Sequence, residues 1–191
     1  MAGINRAQNT TTTRAFSILE RWERKAPRKC VFLSHHQSDK AYCRRVADYI
    51  NDLDVDVYFD EDDQQLEQYR LAGDPDGVTD CIQAGIDKSD FMLCVVSIRT
   101  RESSWVPFEL GYGFGRGRTE LGILTLIGVD EKDLPDYART SKFILDDLSD
   151  LNDFLASHVE GARLILESSG QRTFSANRGS NHPLHGILNI R

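Results

Sequence analysis

An aromatic residue and an acidic residue lie four positions apart in the sequence, shortly after an apolar segment. The apolar segment comprises residues 91–97, and Ser103, Ser104, Trp105 and Glu109 follow it. A short apolar run predicts a buried strand of a parallel sheet, and either serine is a suitable N-cap for a helix that begins there. In open α/β sheets, ligands bind where strands end and helices begin, so this indole and this carboxylate are candidate ligand-binding groups.

The same two residues also allow an interpretation without chemistry. Trp105 then packs on the sheet, and Glu109 is a surface acid in the first turns of the helix. Residues four apart share one face of a helix, and the partial positive charge at a helix N-terminus favours an ionised carboxylate in either case. No second glutamate is placed beside Glu109 to form the carboxylate pair of a glycosidase. The residues alone leave both interpretations open.

Further polar candidates follow the first two predicted strands. His35 and His36 come directly after the first strand, where an imidazole can bind a phosphate or a ribose hydroxyl, although a histidine pair in a loop is commonly only solvated. Acidic residues are frequent over positions 52–63, but this run lacks the glycine turn and later glutamate of a calcium loop. We interpret the run as a solvated helix end and loop, and predict no metal site. Asp60 is the exception, because it ends the second strand on the ligand edge of the sheet.

A regular alternation of strand and helix patterns positions these candidates. Apolar segments predict strands at residues 30–34, 56–60, 91–97, 121–127 and 141–145. Amphipathic or capped segments predict helices at residues 40–53, from Asp74, from Ser104 and from Ser149. The connection over residues 61–73 is predicted to be a long polar loop. This alternation indicates an α/β fold with a parallel sheet and helices on both faces.

The two ends of the chain differ in composition from its middle part. Residues 1–12 predict a mobile tail, and residues 15–22 carry an apolar stripe that predicts an accessory helix ended by Pro27. The C-terminal end is rich in Ser, Gly, Asn and Arg and predicts a poorly ordered tail, although residues 184–190 are apolar enough to dock. The predicted parts are a tail and accessory helix at 1–27, an α/β domain at 28–167 and a C-terminal tail at 168–191.

Composition argues against several classes of protein. The 191 residues are 40% hydrophobic and 28% charged, which is ordinary for a soluble globular protein, and the formal net charge of −7 argues against a nucleic-acid partner. No apolar run reaches the roughly 20 residues of a membrane helix, so we expect no membrane partner and a cytoplasmic location. The four cysteines show no C-x-x-C spacing, which argues against a zinc site or a disulfide framework.

Three segments, in this order, resemble TIR domains, in particular the bacterial NAD-cleaving branch. Residues 31–39 resemble the first box of the family, an apolar strand that ends in serine with an aspartate a few residues later. Residues 56–60 and the loop after them are similar to the second strand and BB loop, and residues 105–111 match the W-x-x-x-E pattern. The likeness spans residues 28–160. The chain departs from animal receptor TIR domains, because its loop lacks their proline-centred sequence and no third-box Phe-Trp pair is present.

The resemblance implies a flavodoxin-like, five-stranded parallel sheet and cleavage of the bond between nicotinamide and ribose in NAD. It implies Glu109 as the catalytic carboxylate of an NAD glycohydrolase or ADP-ribosyl cyclase, with NAD as substrate and no cofactor. The substrate-binding residues that it implies are Ser34, His35, Asp60, Ser103 and Trp105. The likeness to Thoeris-type antiphage TIR proteins implies a cyclic ADP-ribose-type product that activates a separate effector. It also implies self-association, with neighbouring protomers completing the site and the 61–73 connection rearranging.

Two other functions remain open beside NAD cleavage. A TIR module that only scaffolds partners would bind them without using Glu109, so binding would persist in Glu109→Ala. A nucleoside deoxyribosyltransferase-like enzyme has a similar sheet topology and N-glycosidic chemistry, and would exchange nucleobases without NAD turnover. A phospho-receiver fits less well. Asp60 ends a strand as its phosphoacceptor would, but no lysine ends the fourth or fifth strand.

Overall fold

A five-stranded parallel sheet forms the centre of the protein in a computed structural model that describes residues 2–8, 28–117, 120–169 and 182–189. The strands are β1 (Cys30–Ser34), β2 (Asp56–Tyr58), β3 (Phe91–Val96), β4 (Leu121–Thr125) and β5 (Phe143–Leu145). Their order across the sheet is β2-β1-β3-β4-β5, and each adjacent pair is parallel. This order is the predicted flavodoxin-like arrangement, in which the order of strand addition reverses between β1 and β3.

Helices cover both faces of this sheet. They are α1 (Lys40–Asp52), α2 (Gln64–Ala72), α3 (Pro75–Asp87), α4 (Trp105–Gly115), α5 (Asp136–Arg139), α6 (Leu148–His158) and α7 (Glu160–Ser168). Alternate residues of a strand point to opposite faces, and β1 shows this directly. Val31 and Leu33 join the core under α1, α6 and α7, whereas Cys30 and Phe32 join the core under α2, α3 and α4.

The start of α3 follows the predicted capping chemistry. The Asp74 side chain accepts a hydrogen bond of 3.0 Å from the Gly77 N–H, and Pro75 occupies the first helical position. Gly85 lets the same helix approach β2, because a Cβ atom at this position would lie 2.4 Å from the Tyr58 ring. Val78, Ile82 and Ile86 form the predicted buried stripe of this helix.

The connection over residues 61–73 contains a helix, so the prediction of a polar loop is wrong. The Asp63 side chain accepts hydrogen bonds from the N–H groups of Gln65 and Leu66, which starts α2, and Gly73 ends it in the left-handed conformation at φ 65°. Leu66 is the buried residue of this helix. One apolar anchor gives too weak a periodicity to predict a helix.

The predicted last long helix is two helices. Asp147 caps α6 by accepting a hydrogen bond of 3.0 Å from the Asp150 N–H, so the helix begins at Leu148, one position before the predicted start at Ser149. Val159 has an extended backbone, at φ −134° and ψ 111°, and separates α6 from α7. Leu151, Leu155, Ala162 and Leu166 are nevertheless all buried, so the predicted apolar face is kept across the break.

Both termini contact the sheet domain. The Val57 N–H donates to the Ile4 carbonyl at 2.9 Å and the Arg6 N–H donates to the Val57 carbonyl at 2.7 Å, so residues 2–8 lie along the outer edge of β2. The prediction of a mobile tail is wrong for these residues. An attached segment of this kind protects an edge strand from pairing with other chains. The predicted accessory helix at residues 15–22 lies outside the described residues.

Residues 182–189 also dock, so the prediction of a poorly ordered tail is wrong for them, although the apolar run 184–190 had allowed docking. Leu184, Ile187 and Leu188 are buried in the core on the α1 side of the sheet, and the Ile127 N–H donates to the Ile187 carbonyl at 2.8 Å.

Across the described parts of the chain, no helix combines the length and the apolar character that crossing a membrane requires.

Candidate active site

Glu109 reaches from α4 to the end of β1. The Ser34 hydroxyl donates a hydrogen bond of 2.5 Å to Glu109 Oε2. The exposed fractions are 4% for Glu109 and 1% for Ser34. The interpretation of Glu109 as a surface acid is therefore wrong, because its carboxylate lies inside the protein at the ligand edge of the sheet.

The local sequence fixes the start of α4 and so the position of Glu109. The Val106 N–H donates to Ser103 Oγ at 3.1 Å, which makes Ser103 the capping side chain of the two predicted serines. Ser104 occupies the N-cap position without a capping hydrogen bond from its side chain. Glu109 comes one turn after Trp105, where its side chain meets β1.

The environment of Glu109 raises its pKa from the usual 4.5 to about 8. Burial is the largest cause, and the negative charge of Asp60 acts in the same direction. The Ser34 hydrogen bond and the positive charge of Arg70 act against them, since both favour the ionised carboxylate. A buried acid with a shifted pKa at a ligand edge is a candidate for acid–base or electrostatic chemistry.

Asp60 lies near this carboxylate, and His35 lies beside Asp60 at the end of the neighbouring strand. Asp60 follows β2 in the single-turn helix Asp60–Asp62, and His35 directly follows β1. Both are buried, and His35 Nδ1 lies 3.7 Å from Asp60 Oδ1. His35 Nε2 and Asp60 Oδ1 are buried polar atoms without a hydrogen-bond partner. Polar atoms of this kind are groups that a ligand can satisfy.

Arg70 is a site residue that sequence reasoning missed. It projects from α2, and its Nη2 atom lies 3.1 Å from Asp60 Oδ2. This ion pair fastens α2 over the strand ends that carry the candidate residues. Two sequence signals could have revealed this helix. Asp63 is a residue type that commonly starts a helix as its N-cap, and Gly73 is a type that commonly ends one.

Trp105 lies at the protein surface, unlike the four buried residues. It is 36% exposed, and its ring meets the Phe108 ring edge-on at a centroid distance of 5.6 Å. The structure therefore brings four of the predicted site residues, Ser34, His35, Asp60 and Glu109, to one edge of the sheet. Ser103 contributes the helix cap, and Trp105 contributes an exposed aromatic surface at the start of α4.

Comparison with known protein families identifies a matching family. A family model described as the TIR domain matches residues 31–157, a span that runs from β1 into α6 and includes Ser34, Asp60 and Glu109. No curated protein matches the chain.

Proposed function

Because the chain belongs to the TIR domain family, we propose that it is an enzyme that cleaves the bond between nicotinamide and ribose in NAD. The observation that carries this proposal is the buried Glu109 carboxylate, which accepts a hydrogen bond from Ser34 at the ligand edge of the sheet. The W-x-x-x-E pattern of the bacterial NAD-cleaving branch supports the same assignment for Glu109.

The chemistry of the bond explains why one carboxylate is enough. Breaking the bond develops positive charge on the ribose, and a fixed carboxylate stabilises that charge. Nicotinamide leaves as a neutral molecule from a cationic ring, so a paired general acid is not required. The cationic ring of NAD also favours the ionised form of Glu109, which offsets the effect of burial on its pKa. Ser34 holds the carboxylate in position and favours the same ionised form.

The covered position of Glu109 requires a conformational change before a dinucleotide reaches it. Its 4% exposed fraction leaves no room for ribose against the carboxylate. The segment that covers the strand ends includes α2, which Arg70 holds to Asp60. We propose that residues 61–73 rearrange when protomers associate and that neighbouring copies complete the site. TIR domains commonly self-associate, which supports this step.

The fate of the sugar follows from access of water to the site. Attack by water gives ADP-ribose, whereas attack by an adenine nitrogen or a ribose hydroxyl of the same molecule gives a cyclic product. A site that excludes water favours the second route. We propose a cyclic ADP-ribose-type signal that activates a separate effector in antiphage defence, in line with the likeness to Thoeris-type TIR proteins.

The test is incubation of the purified protein at high concentration with NAD, followed by measurement of nicotinamide release and product mass. Glu109→Gln should abolish release, while Glu102→Gln, an exposed glutamate before α4, should release nicotinamide at the wild-type rate. The product mass then separates hydrolysis from cyclisation. A folded Glu109→Gln protein that cleaves NAD at the wild-type rate would refute the proposal, as would a wild-type protein that stays inactive even in lysate from infected cells.

A scaffold function has one structural observation in its favour. Trp105, Phe108 and Tyr112 form a row of rings on α4, with centroid distances of 5.6 Å and 6.3 Å between neighbours. Trp105 is exposed, Phe108 and Tyr112 are half-buried, and aromatic residues are enriched in protein interfaces. Partner binding that persists in Glu109→Ala and is lost in Trp105→Ala, together with an absence of NAD turnover, would favour the scaffold over the enzyme.

A further inference from the structure

Three side chains at the ends of β1 and β2 converge on one small space. His35, Asp60 and Glu61 each direct a donor atom into it, and these atoms all lie within 4.8 Å of one another. His35 Nε2 lies 3.9 Å from Glu61 Oε1, and His35 Nδ1 lies 3.7 Å from Asp60 Oδ1. Both separations are too long for direct hydrogen bonds. The three groups therefore face one another without satisfying one another.

Two of the atoms in this group are buried and have no partner. His35 Nε2 and Asp60 Oδ1 make no hydrogen bond, and the exposed fractions of the two side chains are 3% and 9%. A buried polar atom without a partner loses its hydration and gains nothing in return. Two such atoms beside a third donor indicate that the space is built for a ligand that contacts all three.

The neighbouring cations each contact one oxygen of Asp60 or of Glu61. The second oxygen of each carboxylate, here called the inner oxygen, is left free. Arg70 Nη2 contacts the outer Asp60 oxygen, Oδ2, at 3.1 Å, and Lys40 Nζ lies 3.7 Å from the outer Glu61 oxygen, Oε2. The inner oxygens, Oδ1 and Oε1, face the imidazole. The outer cations reduce the repulsion between the two carboxylates and leave one oxygen of each available.

The backbone favours a lone pair on the inward nitrogen of His35. His35 Nδ1 lies 3.4 Å from the carbonyl oxygen of Leu33, a contact that favours the proton on Nδ1. Nε2 of the neutral ring then carries a lone pair on the side of the ring where Glu61 Oε1 lies, 3.9 Å away. Metal-binding histidines generally have this arrangement, in which the second ring nitrogen donates to a carbonyl or carboxylate.

We propose that His35 Nε2, Asp60 Oδ1 and Glu61 Oε1 bind a divalent transition-metal cation of the zinc type. An imidazole nitrogen among the donors favours this class over Mg²⁺ and Ca²⁺, which take oxygen ligands. Ligand atoms about 2.1 Å from Zn²⁺ lie roughly 3.4 Å apart in a tetrahedron. Side-chain rotations would therefore have to shorten the 3.9 Å between His35 Nε2 and Glu61 Oε1, and the spacing of at most 4.8 Å among the three donor atoms. Three protein ligands leave one position for water or for an oxygen of a bound molecule.

This proposal departs from the expectation that the acidic run is only a solvated loop without a metal. The proposed donor set combines this acidic run with a histidine from another strand, which a search for a calcium-loop pattern does not detect. The inference does not depend on NAD cleavage, since metal binding is measured without substrate. A protonated His35 between the two carboxylates would explain the same geometry without a metal, and the experiment must separate these two explanations.

The experiment is a titration of the untagged, metal-free full-length chain with Zn²⁺, followed by calorimetry and by competition with a chromophoric chelator. One Zn²⁺ should bind per chain in the presence of excess Mg²⁺. Glu61→Gln and His35→Gln should each weaken binding at least about tenfold. His36→Gln and Glu67→Gln are the matched controls, because they make the same chemical changes at a neighbouring histidine and at an exposed glutamate of α2. Both should bind as the wild type does.

Because Glu61 is half-buried and His35 is buried, Glu61→Gln should disturb folding less than His35→Gln and is the more reliable test of binding. Circular dichroism should confirm that Glu61→Gln folds. Equal Zn²⁺ binding by Glu61→Gln and the wild type would overturn the inference, as would displacement of Zn²⁺ by an equal concentration of Mg²⁺. Absence of Zn²⁺ binding, with NMR showing both ring nitrogens of His35 protonated, would establish the imidazolium explanation instead. Glu109→Gln should bind Zn²⁺ normally, so failure of NAD cleavage and failure of this site are distinguishable.

Discussion

Ser34 and Glu109, 75 residues apart in the chain, are joined by a buried hydrogen bond of 2.5 Å between their side chains. Ser34 ends β1 and Glu109 lies one turn inside α4, so the contact ties the end of a central strand to the start of a helix that follows another strand. Such a bond between a hydroxyl and a carboxylate holds one rotamer of the acid and favours its ionised form. The first two predictions follow from this pair.

Ser34→Ala should lower the rate of NAD cleavage and shift its pH dependence upward. Loss of a hydrogen bond to a charged group costs about 1.5–3 kcal/mol, which corresponds to a roughly tenfold to hundredfold decrease in kcat/KM. The pKa of Glu109 should rise further, because the donor that favours its ionised form is gone. The measurement is kcat/KM against pH for both proteins. Ser89→Ala, at a buried serine that donates to the Gly85 carbonyl, is the control and should keep the wild-type profile.

Glu109→Gln should stabilise the protein increasingly as pH rises. The folded chain keeps a proton on Glu109 up to about pH 8, whereas the unfolded chain releases it near the usual 4.5. Below about pH 4.5 both states are protonated, so the buried carboxyl carries no charge and adds no pH-dependent cost. Between about pH 4.5 and pH 8 the free energy of unfolding falls with rising pH, by on the order of a few kcal/mol in all. Above about pH 8 the loss is complete.

A neutral amide in the same place avoids this loss and still accepts the Ser34 hydrogen bond. The measurement is Tm for wild type and Glu109→Gln from mildly acidic to mildly alkaline pH, where the difference should grow with pH. Glu102→Gln should follow the wild-type curve, because its carboxylate is exposed. Parallel curves for wild type and Glu109→Gln would contradict the raised pKa, and a large drop in Tm for Glu109→Gln would identify a structural acid.

The strands were predictable because the central ones are buried on both faces and read as short apolar runs. β1 matches its predicted residues throughout, and β3 ends one residue before its predicted end. The direction of Glu109 was not predictable, because apolar residues occur all around α4. Val106 and Leu110 are buried whereas Trp105 and Phe114 are exposed, so no polar face indicates which side meets the sheet.

The side-chain contacts of Asp60 could not be predicted from the sequence either. His35 becomes its neighbour only because β1 and β2 are adjacent in the sheet, and strand order is not encoded in any local pattern. Arg70 approaches from a helix with a single buried anchor, Leu66. The sequence therefore placed these candidate residues at one edge of the sheet, and the structure adds the contacts among them.

Arg70→Gln should loosen α2 without unfolding the domain. The ion pair with Asp60 is partly exposed, so its loss should cost only about 1 kcal/mol. Local opening of residues 64–72 should become roughly fivefold more frequent, which hydrogen exchange of the α2 amides can measure. Arg163→Gln, in an ion pair on α7, is the control and should leave exchange in α2 unchanged. Unchanged exchange in Arg70→Gln would show that Leu66 and the helix caps hold α2 alone.

Leu184→Ala should destabilise the domain, although it lies in a segment that composition assigned to a tail. Leu184 is buried in the α1-side core, and truncation of a fully buried leucine costs about 2–5 kcal/mol. Arg45 reinforces the docking, since its guanidinium donates to the Pro183 carbonyl at 2.8 Å. The measurement is urea unfolding of the full chain. Leu164→Ala, at a residue 54% exposed on α7, should change stability far less. Equal stability of Leu184→Ala and wild type would restore the predicted domain end at residue 167, whereas the expected loss makes residues 182–189 part of the folded domain.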